Sequence, residues 1–224
     1  MKKIILFVLA LSLCGTSSCY SRGINRHHSA QTIASYAEKV GRYKNNQLHS
    51  GSEIVSLCNL LAAYDYKATV DDFVSFGYIT ISDSDWTNCF YGSLKYDGWC
   101  FAPAIMKAGN NFLNDHNTEK KVYQTSNTSE NFKNIIKNYI DNDIPVEMWI
   151  TSDYQLPKWN KNVDMRDNAY TPYTNERAVV LYKVDKNYAY FQDPVCGKKK
   201  IDKDKFGIIY EACGCNAIYI EKKL

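Results

Sequence analysis

The spacing of apolar and polar residues predicts helices in the first two-thirds of the chain and strands in the last third. Over residues 51–63 apolar side chains recur at helical spacing behind Ser52 and Glu53, which predicts a buried helix with Ser52 as its N-cap. Thr69 is a similar cap candidate for a second helix. Two more helices are predicted, over residues 103–113 and over residues 129–141.

Short apolar runs typical of strands follow the fourth predicted helix. Residues 79–86 are predicted as a loop, and everything after residue 141 is predicted as strands and loops. A long polar loop over residues 152–175 carries Trp159, Tyr170 and Tyr173. Helices followed by antiparallel strands predict a single α+β domain in which N-terminal helices pack on an antiparallel sheet. The strands are expected at residues 145–151, 177–184, 188–192 and 217–220.

The first eighteen residues have the three-part pattern of a secretory signal peptide. Lys2 and Lys3 precede an apolar run over residues 4–13, which is too short to cross a bilayer as a helix, and small polar residues follow. We therefore expect a signal peptide over residues 1–18, a polar segment with a short helix over residues 19–43, and the folded domain over residues 44–224. The protein is expected to be exported, either secreted or anchored to the outer face of a bacterial membrane.

Cys19 ends a stretch that loosely resembles the processing site of bacterial lipoproteins, in which a cysteine becomes the lipidated first residue. That site prefers an aliphatic residue where this chain has Thr16. Lipidation of Cys19 and ordinary cleavage nearby both stay open on the sequence. A lipid at Cys19 is the one membrane contact that the sequence predicts.

The composition is that of an ordinary globular protein, with 45% hydrophobic and 23% charged residues among 224. Two of the three net positive charges belong to Lys2 and Lys3, so no basic surface for nucleic acid is expected. The histidines and cysteines lack the spacing of a metal site, and neither a metal nor a cofactor is predicted. The six cysteines after Cys19 allow fifteen disulfide pairings, and the sequence selects none of them.

Six short motifs occur in an order that resembles a known family. Together they resemble the papain-like cysteine peptidases of family thirty-nine, the bacteriocin-processing type, and in particular their exported stand-alone relatives. The resemblance covers nearly the whole mature chain and implies a papain-like fold with a cleft between the first buried helix and the sheet. The motifs are residues 44–53, 98–103, 144–151, 176–181, 191–194 and 214–218.

The resemblance also implies four catalytic positions, three of which hold unexpected residues. In the family a cysteine at a helix N-terminus attacks, a histidine takes its proton, an aspartate orients the imidazole and a glutamine stabilises the oxyanion. Here the cysteine position holds Ser52, the glutamine position Lys44 and the histidine position Arg177, while Asp193 is retained. Arginine stays protonated at any working pH and cannot act as the base. The chain therefore looks like a pseudopeptidase.

A binding role would replace catalysis in such a domain. Lys44 and Arg177 are expected to leave the cleft electropositive and able to hold a peptide or another carboxylate ligand. The residues expected beside them are Gly51, Glu53, Trp149 and Thr151.

Two alternatives remain. One is an active hydrolase with a non-standard arrangement, for which His49 is the nearest imidazole; it precedes the helix, whereas the family's base comes from the opposite wall. The other is a cell-surface structural protein whose cleft is filled by Arg177 and Asp193.

Overall fold

The computed structural model describes residues 50–85, 87–125, 130–160 and 170–222. The expected signal peptide, the helix over residues 30–40, Cys19, Lys44 and His49 lie outside these ranges. Within them the helices are α1 (Ser52–Ala62), α2 (Val70–Ser75), α3 (Ala102–Asp115), α4 (Phe132–Asn138) and α5 (Lys203–Ala212), with a 3-10 turn at Ile140–Asn142.

Nine strands form two sheets in the described part of the chain. The larger sheet is antiparallel, with its strands in the order β4-β9-β5-β6-β7-β8. A small sheet pairs the other three in the order β1-β2-β3. The strands are β1 (Ile81–Ser82), β2 (Phe90–Gly92), β3 (Gly98–Trp99), β4 (Lys120–Gln124), β5 (Val146–Thr151), β6 (Glu176–Val184), β7 (Tyr188–Asp193), β8 (Gly197–Asp202) and β9 (Ala217–Lys222).

Helices α1 and α5 cover opposite faces of the larger sheet. Side chains alternate between faces along a strand, so Glu176 and Leu181 of β6 point to opposite sides. Glu176 interacts with Glu53 of α1, whereas Leu181 pairs with Phe191, whose ring lies 5.3 Å from that of Phe206 in α5. This two-sided cover explains why the central strand β5 is buried along its whole length.

The predicted α+β class and four predicted helices are confirmed. Thr69 caps α2 through a reciprocal capping box with Asp72, as its sequence position suggested. The fourth helix is shorter than expected, because the backbone leaves helical geometry at Tyr139 before the 3-10 turn.

The prediction that only strands and loops follow residue 141 is wrong, because α5 lies there. Its apolar residues Phe206, Ile209 and Tyr210 recur at helical spacing, and Asp202 caps it by accepting a hydrogen bond from the Lys205 amide. Strands β4 and β8 were also missed, and the predicted loop over residues 79–86 contains β1.

The described part of the chain contains no helix long and apolar enough to cross a membrane. It also contains no group of three His, Cys, Asp or Glu side chains arranged as metal ligands. Cys58 is buried in α1, as expected for a core residue. Five further cysteines are free thiols: Cys89, Cys100, Cys196, Cys213 and Cys215.

Candidate functional site

A cavity of about 520 Å³ opens where the N-terminus of α1 meets the start of β6. Ser52 and Arg177 both line it, so the structure brings together the two positions that the sequence assigned to a degenerate nucleophile and base. The turn before β3 contributes Tyr96 and Asp97, and the loop before β6 contributes Tyr173. The cleft implied by the resemblance is therefore present and open.

Gly51, rather than Ser52, is the N-cap of α1, which corrects the sequence interpretation. Gly51 has φ of 101°, in the left-handed region that glycine tolerates best. A Cβ at this position would also lie 2.6 Å from Cδ2 of Leu94. Ser52 is consequently the first residue of the helix and makes no capping hydrogen bond.

The Ser52 hydroxyl is held between two neighbours. It donates a hydrogen bond to Oε2 of Glu53 at 3.1 Å and accepts one from the Ala178 amide at 3.2 Å. The second bond places Ser52 directly beside the Arg177–Ala178 peptide of β6.

Arg177 is paired with Asp193, which is almost wholly buried. The Arg177 guanidinium lies 3.3 Å from Oδ1 of Asp193, a side chain with 1% exposure. The same oxygen accepts the amides of Val195 and Cys196 at 2.7 Å, and the Tyr154 hydroxyl donates to Oδ2 at 2.9 Å. Asp193 therefore holds the β7–β8 turn as well as the guanidinium.

Three buried glutamates surround the base of the cleft. Burial raises the pKa of Glu53, and it raises those of Glu147 and Glu176 well above the usual range. The charge of Glu53 adds to the effect of burial in raising the pKa of Glu176, whose carboxylate oxygens have no hydrogen-bond partner among the described residues. Glu147 has no hydrogen-bond partner among the described residues.

The cleft is mainly acidic in the part that the structure describes. Its described lining contains Glu53, Asp97 and Glu176, while its one guanidinium, from Arg177, is already neutralised by Asp193. The described lining therefore gives no support to an electropositive cleft. Lys44, on which that expectation also rests, lies outside the described residues, so the expectation stays a prediction. The sequence analysis did not identify Glu147 or Glu176 as residues near the cleft. An acid within the apolar run of β5 could have drawn attention to Glu147.

Two residues expected to bind a ligand belong to the core instead. Trp149 is fully buried and donates its indole N–H to the Cys100 carbonyl at 2.8 Å. Thr151 is also buried and donates to the Gln155 carbonyl at 2.6 Å. Neither lines the cavity, whereas Gly51 and Glu53 do.

The aromatic residues of the long loop have different roles. Tyr173 lines the cavity, and its ring contacts that of the half-exposed Trp159 at 5.6 Å. Tyr170 packs on Phe101 at 5.4 Å and accepts a hydrogen bond from Gln124.

Three of the free thiols are poor nucleophiles. Burial, reinforced by Glu53, raises the pKa of Cys100 well above its usual range. Burial also raises the pKa of Cys213 to about 12 and that of Cys215 to about 11. Because the thiolate is the reactive form, burial makes these three thiols unreactive. Cys196 is exposed and adjoins the cavity-lining Val195.

A family model described as the Peptidase_C39 like family matches residues 37–218. The chain belongs to this family. The resemblance stated from the motifs is thus confirmed, and the six-stranded sheet with α1 against β6 is its papain-like α+β fold.

One solved structure supports this fold, and a second matches more weakly. A Bacillus anthracis protein described as a C39-like peptidase superposes with a TM-score of 0.65 at 18% identity, covering 80% of this chain and 92% of its own. A double glycine motif protease from an AMS/PCAT transporter, in complex with the leader peptide, gives a TM-score of 0.42 at 18% identity, covering 79% and 89%. A search of the curated proteins found no match.

Proposed function

We propose that this chain is an exported, non-catalytic C39-like domain that binds a peptide in its cleft. The observation that carries the proposal is the Arg177–Asp193 ion pair at 3.3 Å beside Ser52. A permanent cation stands where the family's base would stand, and a hydroxyl stands where its thiol would stand. The export of the chain rests on the signal-peptide pattern of residues 1–18 and stays a prediction.

A serine at this position needs a base, and the described cleft offers a poor one. His116 is the one histidine among the described residues; it follows α3, and its ring is hydrogen-bonded to the Phe112 carbonyl, away from the cavity. The carboxyl nearest to Ser52 is that of Glu53, whose other oxygen accepts the Cys100 amide at 2.9 Å. These contacts support the non-catalytic proposal over an active hydrolase.

The open cavity favours a binding module over a structural protein with a filled cleft. The Arg177–Asp193 pair leaves about 520 Å³ accessible. Tyr96, Val195 and Trp159 are exposed at or beside the rim, and exposed apolar side chains around a groove are typical of a surface that binds a partner. The acidic described lining gives no support to a carboxylate as the preferred ligand.

The first test is covalent labelling. A fluorophosphonate probe should leave the wild-type protein unlabelled, because no base activates Ser52, and Ser52→Ala is the control. Labelling of the wild type that disappears in Ser52→Ala would contradict the proposal.

The second part of the same test introduces the thiol and the imidazole that the family uses. Ser52→Cys/Arg177→His places a thiol and an imidazole beside Asp193, and an adjacent imidazolium lowers a thiol pKa. We expect its iodoacetamide alkylation near neutral pH to be at least about tenfold faster than that of Ser52→Cys alone. Equal rates would mean that position 177 is not where the base belongs.

A further inference from the structure

A strip of lysine and tyrosine side chains lies on one face of the β6–β7–β8 region. We call Lys183, Tyr188, Tyr190, Lys198 and Lys200 the hairpin patch. Tyr190 pairs with Lys200 across β7–β8 and with Lys183 across β6–β7, so these three side chains share one face of the sheet. Lys198 lies two residues before Lys200 and faces the same way.

The lysines of the hairpin patch are available to an external anion. Lys198 and Lys200 are exposed, and among the described residues neither forms an ion pair. The Lys200 ammonium lies 4.4 Å from the ring centroid of Tyr188, and the Lys183 ammonium 5.1 Å from that of Tyr190. These rings orient the lysines without neutralising them.

The acids nearest in sequence are used in local structure. Asp185 accepts the Tyr190 hydroxyl at 2.7 Å and the amides of Asn187 and Tyr188 at 2.8 Å. Asp202 caps α5, and because it pairs with Tyr188 across β7–β8 it lies on the same face as the hairpin patch. Asp204 is exposed and lies 4.0 Å from Lys203, outside the hairpin patch. Asp185, which interacts with Lys183, and Asp202 offset part of the charge, and the three lysines still leave this face net positive.

The hairpin patch lies where an extended flat surface such as a membrane could reach it. Strand β8 is the outer strand of the sheet, and α5 packs on the opposite face through the Phe206–Phe191 contact. Tyr188, opposite Asp202 and beside Lys200, is 38% exposed. Tyrosine and lysine side chains with apolar bodies and polar ends are favoured where protein meets the headgroups of a bilayer.

We propose that the hairpin patch binds the anionic headgroups of a phospholipid surface. One acyl chain gives weak and reversible membrane binding, and a basic patch is the kind of second signal that makes such binding stable. If Cys19 is lipidated, the hairpin patch would be the second element that makes membrane binding stable. Without a lipid, the patch would still attract the chain to an anionic membrane. This inference is independent of the function proposed for the cleft.

The test is vesicle co-sedimentation of the chain from residue 19 onward, carrying Cys19→Ser, so that neither the expected signal peptide nor a lipid contributes. We expect binding to phosphatidylcholine vesicles that contain phosphatidylglycerol, none to phosphatidylcholine alone, and a loss of binding as salt is raised. Lys198→Glu/Lys200→Glu should weaken binding roughly tenfold or more, because each lysine near an anionic surface contributes favourably. Lys198→Gln/Lys200→Gln should show an intermediate loss.

The matched control is Lys133→Glu/Lys137→Glu, which makes the same charge change at two exposed positions of α4. It should retain binding. An equal loss in both double variants, binding without phosphatidylglycerol, or no binding by the Cys19→Ser chain would overturn the proposal. The proposal would also be overturned if the chain bound soluble polyglutamate, another anion, but did not bind vesicles. Circular dichroism of each variant verifies that it is folded.

Discussion

Asp193 has two tasks in this C39-like domain. It faces the Arg177 guanidinium, and it accepts two backbone amides that shape the turn into β8. An acceptor with this many donors can be retained for folding alone. Its presence is therefore compatible with a domain that performs no proton transfer.

Replacing Asp193 should destabilise the fold strongly. Asp193→Ala leaves a partly buried guanidinium, the Tyr154 hydroxyl and two amides without their acceptor. We expect the free energy of unfolding to fall by about 3 kcal/mol or more in urea titrations. Tyr154→Phe, which removes one donor, should cost about 1 kcal/mol. Comparable losses in the two variants would show that Asp193 does not have this structural role.

Only some of the residues in the cleft could be predicted from the sequence. Ser52, Arg177 and Asp193 were found because motifs in sequence order located them. Glu176 was overlooked beside Arg177, since its burial depends on the approach of Glu53 from α1, and no local pattern reveals that contact. Trp149 was predicted to contact a ligand but is fully buried. The sequence does not distinguish an aromatic residue that binds a ligand from one that belongs to the core.

At the scale of elements, α3 and β4 meet at a glycine. A Cβ at Gly109 would lie 2.6 Å from Cγ2 of Val122 and 3.2 Å from Cδ1 of Leu57. The helix needs this close approach, although glycine is a poor residue for a helix interior.

Gly109→Ala should therefore destabilise the protein, although alanine has a higher helix propensity than glycine. Propensity alone favours alanine by about 1 kcal/mol, whereas overpacking typically costs about 1–3 kcal/mol. Thermal unfolding of Gly109→Ala should show a lower midpoint, while Asn114→Ala on the exposed side of α3 should show little change. Adding Val122→Ala to Gly109→Ala should recover part of the loss. A higher midpoint for Gly109→Ala alone would refute the packing argument.

Helices were more predictable than strands at this scale. α1, α2 and α3 carry local signals, either a cap or a long apolar stripe. β8 has three consecutive lysines and is an outer strand, so it lacks the apolar pattern of a buried one. Its pairing with β7 is set by the turn that Asp193 holds, which is a tertiary contact.

For the whole molecule, the buried glutamates determine how stability depends on pH. The folded state raises the pKa of Glu53, Glu147 and Glu176 above the ordinary 4.5, mainly through burial. Above that value the folded chain binds more protons than the unfolded chain, so stability falls as pH rises. Asp153 and Asp185, with pKa lowered to about 2, act in the opposite sense only at acidic pH.

The thermal midpoint should consequently fall as pH rises from about 5 to about 8. Glu147→Gln should flatten this dependence, because Glu147 is fully buried, and its charged form has no partner among the described residues. Glu221→Gln, at a partly exposed position of β9, makes the same change as a matched control and should leave the slope unchanged. A midpoint that rises over this range would show that other groups dominate.

The turn held by Asp193 bears on how relatives of this chain should be classified from their sequences. The aspartate before proline at the end of β7 closes the hairpin here by accepting two amides, a role that needs no hydrolysis. A survey that counts this acid as a sign of proteolysis would therefore be counting a turn contact. The thiol and the imidazole are the more discriminating markers, and only their joint presence should be taken to indicate a working enzyme.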